Sequence, residues 1–214
     1  MKAQSSLLRT GAVCAAGAAM ILIGMVIVGS GAGEAVGFLG QPGTPEQYAV
    51  VMRPVAVALL RAMALDNVFL ILYMGAFISA ARLIWAQARG FAGVGLGFVV
   101  LLALLDVAEN AVTVDMARAV IREVPIPAWE ISALGLLEQV KYASGAMAVV
   151  LFALGLWIAL PHSWYAKGVA GLFLCFPVMN ALKIVGISEG GLIVWMLVML
   201  VGSAGLLWRE GLRR

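Results

Sequence analysis

Hydrophobic residues in this chain neither alternate with polar ones nor keep to one helix face. They run on for about 20 residues at a time, the length a helix needs to cross the hydrocarbon of a bilayer. Six runs are legible, near residues 11–30, 60–81, 92–114, 133–158, 168–187 and 192–208. They are apolar on all sides and lack the alternation of barrel strands, so the pattern predicts helices. The expected fold class is an all-α integral membrane protein, one polytopic domain over residues 1–214 built as a bundle of about six transmembrane helices.

Composition agrees. The chain is 64% hydrophobic and 12% charged, with a mean hydropathy of +1.05. That leaves too little polar surface to cover a water-soluble globule, so lipid is the expected partner over most of the exterior. The net charge of +3 is not read as a nucleic-acid signal, because the basic residues sit at the ends of the runs. No nucleic-acid motif is present, and no such partner is expected.

Those basic residues alternate by side. Lys2, Arg9, Arg82, Arg89, Lys167, Arg209, Arg213 and Arg214 fall on one side of a six-span topology. Arg53, Arg118 and Arg122 fall on the other, offset by Glu34, Glu46, Asp115, Glu123 and Glu130. The positive-inside rule therefore places both termini in the cytoplasm and predicts a multi-pass protein of a cell (inner) membrane. A cleaved signal peptide is an alternative for the start, since Ser30-Gly31-Ala32 resembles a small-residue cleavage site. The run from Gly11 to Gly29 exceeds the roughly 7–15 residues of a signal core, so a retained helix is preferred.

The two longer loops, Gly33 to Arg53 and Met116 to Trp129, both face outward in this topology. The first holds a turn signal at Gln41-Pro42-Gly43-Thr44-Pro45. Trp129 and Trp164 are expected at opposite interfaces. Glycines at 17, 24, 93, 97, 202 and 205 predict close helix packing, within the chain rather than between copies. Cys14 and Cys175 lie in apolar runs and read as small hydrophobes, so no disulfide, metal site or cofactor is expected. His162, the one histidine, falls in a loop.

The candidate chemistry lies inside the runs. Asp106, Glu109, Asn110 and Thr113 occupy i, i+3, i+4 and i+7, one face of the third helix. Glu138, Lys141 and Tyr142 mark the fourth, Asn180 and Lys183 the fifth, and Asp66, Asn67 and Tyr73 the second. Helices two to five are expected to surround these stripes in the outer half of the membrane, with Arg61 reaching toward the outer surface. Each charge costs roughly 2.5–3.5 kcal/mol at a helix centre on insertion scales, so such residues mark functional sites by default.

Three functions fit. One is a small transporter or ion-coupled binding protein with an outward-facing pocket, its stripe residues acting as ligand contacts or a proton relay. A second is a membrane-embedded enzyme acting on a lipid or isoprenoid. The third is an accessory or structural subunit with an ion-paired core. A small anionic or lipid-like ligand is expected from the lysines and Arg61. No HExxH, GxSxG or paired-aspartate motif supports a particular enzyme.

Overall fold

A computed structural model describes residues 2–29, 38–184 and 189–213. Ser30 and residues 185–187 of the expected spans lie outside the described residues, as does the Lys183 side chain. Seven helices occur among the described residues: α1 (Lys2–Gly29), α2 (Pro45–Met52), α3 (Ala56–Ile84), α4 (Arg89–Ile121), α5 (Ala128–Ala159), α6 (Trp164–Ile184) and α7 (Glu189–Arg213). All except α2 are long and apolar enough to span a membrane, and the protein is a six-helix membrane bundle.

The six spanning helices form a closed ring. Each packs on its neighbour in sequence, and α7 returns to pack on α1. The chain ends meet there: the Ser5 hydroxyl donates to the Gly211 carbonyl at 2.5 Å. Both termini are therefore on one end of the bundle. That end also carries the cation–aromatic pairs Arg9–Trp208, Arg89–Trp85, Lys167–Trp164 and Arg209–Tyr165. A girdle of aromatic and basic side chains is what a headgroup layer selects.

Inside lipid, apolar burial gives helices no reason to associate, so close backbone approach and interhelical polar bonds must hold the ring. Gly11 lies against Ser79 and Gly75 against Cys14, which joins α1 to α3; a side chain at either glycine would collide with its neighbour. Trp195 of α7 donates its ring N–H to the Leu172 carbonyl of α6 at 2.9 Å. Gly202 and Gly205 serve the same α6–α7 contact. The Gly93–Gly97 pair does not: among the described residues nothing lies within 4 Å of a Cβ added at either, whereas Gly95 faces the Phe152 ring. Cys175 is likewise exposed on the bundle surface, while Cys14 is half-buried.

Two features exceed the sequence expectation. The loop after the first span contains a helix, α2, opened by a capping box in which Thr44 and Gln47 exchange hydrogen bonds, with Pro45 in the first turn. And α4 and α5, at 33 and 32 residues, are far longer than a span requires. At 1.5 Å per residue each is about 50 Å long. Their ends away from the termini, with α2 and the start of α3, enclose a second apolar cluster of Tyr48, Met52, Leu59, Met116, Val120, Ile131 and Leu134. This cap stands on the end of the bundle opposite the termini.

Candidate functional site: an ion-paired network under the cap

Beneath the cap, α3, α4 and α5 bring their polar stripes together. Lys141 Nζ of α5 lies 2.5 Å from Glu109 Oε2 and 3.5 Å from Asp106 Oδ1, both on α4. The Tyr73 hydroxyl of α3 donates to the other oxygen of Asp106 at 2.6 Å. The two groups so hold one carboxylate from opposite sides. The Tyr142 ring sits 5.5 Å from the same ammonium.

A second knot joins α3 to α4 alone. The Asn110 amide donates to Asp66 Oδ2 at 2.7 Å and to Asn67 Oδ1 at 3.2 Å, which uses both of its N–H groups. Asn110 is buried, and Thr113, one turn outward, is buried as well. Asn67 is exposed on the bundle surface, beside the exposed apolar Val68 and Ile71. Arg61 is exposed.

Helix geometry places these groups at one depth. Counted from the basic end at 1.5 Å per residue, Asp66 lies about 27 Å along α3, Asp106 about 26 Å along α4 and Lys141 about 27 Å along α5. The network therefore lies toward the cap end of these helices, beyond their midpoints. Antiparallel pairing extends the level to α6. A Cβ on Gly145 of α5 would lie 3.9 Å from the Phe176 ring. Asn180 follows Phe176 by four residues and Lys141 precedes Gly145 by four, so both stand one turn outward of that contact. Asn180 is buried, and its Oδ1 has no hydrogen-bond partner among the described residues. Glu138, one turn outward of Lys141, meets the cap at Gly40.

Of the sequence candidates, Asp66, Asn67, Asp106, Glu109, Asn110 and Lys141 therefore share contacts, with Tyr142 and Glu138 adjoining them on α5. Asn180 reaches their depth from α6. Two participants carried no sequence signal strong enough to single them out. Tyr48 and Gly40 lie in a loop whose fold only the Thr44–Gln47 spacing foreshadows. Glu130, taken from sequence as an outer-loop charge, is buried in the first turn of α5, where its carboxyl meets that of Asp115.

No family model, curated protein or solved structure matches the chain. Its class rests on the fold: a multi-pass helical membrane protein.

Proposed function

We propose that the protein binds a small solute or ion within the α3–α5 network and passes it across the membrane, with proton or cation binding linked to the pairing of Lys141. One observation carries this reading: a single ammonium is shared by two carboxylates from the same helix, Asp106 and Glu109. A shared ammonium has two partners to choose between, and any proton or cation that neutralises one shifts it toward the other. Ionisable groups at this depth mark ion and substrate pathways by default.

Charge balance supports a cation over an anion. Among the described residues, Asp106 and Glu109 share the Lys141 ammonium, and Asp66, held by Asn110 beside Glu109, adds a third carboxylate. Among the described residues this balance suits a cation better than the anionic ligand that the lysines and Arg61 suggest from the sequence. A protein of the cell (inner) membrane, with both termini cytoplasmic, is the setting the basic end of the bundle supports. Its network would then lie near the outer surface.

The test is a thermal-stability screen of the purified protein against small solutes, paired with proton-flux measurements in reconstituted vesicles. A stabilising solute, or flux above that of empty vesicles, that disappears in Asp106→Asn and Glu109→Gln is expected. A protein that no solute stabilises and that moves no protons is a sealed scaffold, and the reading fails. A lipid-directed enzyme is the second reading, favoured by one observation: Asn67 joins the network to the lipid-facing surface. Turnover of a lipid that depends on Asp66 would establish it.

A further inference from the structure

The cap does more than extend the bundle. Residues 38–41 form a tight turn, closed by the Gln41 N–H donating to the Phe38 carbonyl at 3.1 Å. Gly40 occupies its third position with φ +82°, a conformation that suits glycine. The turn is tied to α2 by Tyr48, which is fully buried. Its hydroxyl donates to the Gln41 carbonyl at 2.7 Å, and its ring packs on Phe38 with centroids 4.9 Å apart. Burial pushes the Tyr48 phenol above its ordinary pKa, so it stays a hydrogen-bond donor.

The same turn lies directly on α5. A Cβ on Gly40 would overlap the Glu138 carboxylate, and a Cβ on Gly135 would lie 3.2 Å from the Gly40 carbonyl. Glu138 and Lys141 are i and i+3, so the turn covers the step on α5 immediately outward of the ammonium. Below the cap the spanning helices close on one another in an unbroken ring. The cap packs instead into an apolar cluster of its own, separate from the core between the spanning helices, with one phenol, one turn and two glycine contacts beside it among the described residues. Segments held in this way open locally while the rest of a fold stays intact.

We propose that residues 38–52 are a movable cap, seated on Gly135 and Glu138, that closes the outer entrance to the Lys141 network and lifts to admit solute. The inference rests on the reading above that the network binds a solute.

The test uses Thr113→Cys as a reporter, in a full-length protein with Cys14 and Cys175 replaced by Ala. Thr113 is buried one turn outward of Glu109, on the cap side. Intact cells are treated with a membrane-impermeant thiol reagent, and modification of residue 113 is followed by mass spectrometry. Two variants loosen the cap without touching the network. Tyr48→Phe removes the tie to Gln41, and Gly135→Leu pushes against the Gly40 carbonyl. Slow labelling of the parent and at least several-fold faster labelling of both variants are expected.

Equal rates in the parent and Tyr48→Phe would overturn the cap as the entrance; solute binding or flux in the assays above would then leave the function standing. Labelling of residue 113 only after denaturation, in every variant, would overturn the cap. With no solute binding or flux, it would overturn the function too. Should Gly135→Leu fail to fold, Tyr48→Phe decides, since it deletes one oxygen.

Discussion

Lys141 Nζ and Glu109 Oε2 stand 2.5 Å apart, one on α5 and one on α4, and both side chains are largely shielded from solvent. Charge in such a place must be paired, because its desolvation cost is only met by a close partner. The pair therefore couples the stability of the α4–α5 hairpin to whatever happens at the ammonium.

Lys141→Met should lower stability by about 3–5 kcal/mol, since it strands two carboxylates beside one another. Adding Glu109→Gln should recover part of the loss, because it removes one of the stranded charges. Chemical unfolding in detergent reads both. A double variant no more stable than Lys141→Met would show that the charge pair is not what couples the helices.

Asn110→Leu should cost about 1–3 kcal/mol, the penalty of leaving the Asp66 carboxylate without its donor. Asn67→Leu should cost clearly less, because Asn67 is exposed and its oxygen is only the second acceptor of the Asn110 amide, at 3.2 Å. The order of the two losses is the measurement; a reversed order would place the critical bond at Asn67.

Tyr73→Phe removes a hydrogen bond to a carboxylate and should cost about 1.5–3 kcal/mol. It should also shift the infrared carboxylate band that Asp106→Asn abolishes. An unchanged band would mean that the phenol and Asp106 are not bonded in the membrane.

Glycine positions on α4 separate internal packing from open surface. Gly95→Leu should destabilise the bundle, because a Cβ there would fall 3.1 Å from the Phe152 ring. Gly93→Leu and Gly97→Leu should be tolerated, because no described residue lies within 4 Å of a Cβ added at either. The check is the thermal midpoint of each variant in detergent and in lipid. A loss at Gly93 or Gly97 in lipid alone would mean that a second helix packs there.

Hydrophobic run length alone determined the class, the helix count and the near ends of the spans, because a bilayer demands about 20 apolar residues whatever the neighbours are. Helical periodicity also selected most of the polar network: Asp106, Glu109 and Asn110 had to share a face, and the rise per residue set a common depth with Asp66 and Lys141. What the chain order left open was partner choice. Whether Lys141 meets Glu109 or Glu138, and whether Asn110 turns to Asp66, depends on ring closure and helix rotation, which are sums of many small packing terms.

The cap was the largest omission. Polar Gln41-Pro42-Gly43-Thr44-Pro45 reads as an exposed outer turn, yet α2 folds back and lays Gly40 on Glu138. Gly93 and Gly97 show the converse case, a local spacing that suits helix contact on a face that none of the described helices covers. Spacing along one helix is written in the sequence. Which surfaces meet is decided only when all six spans compete for the same neighbours.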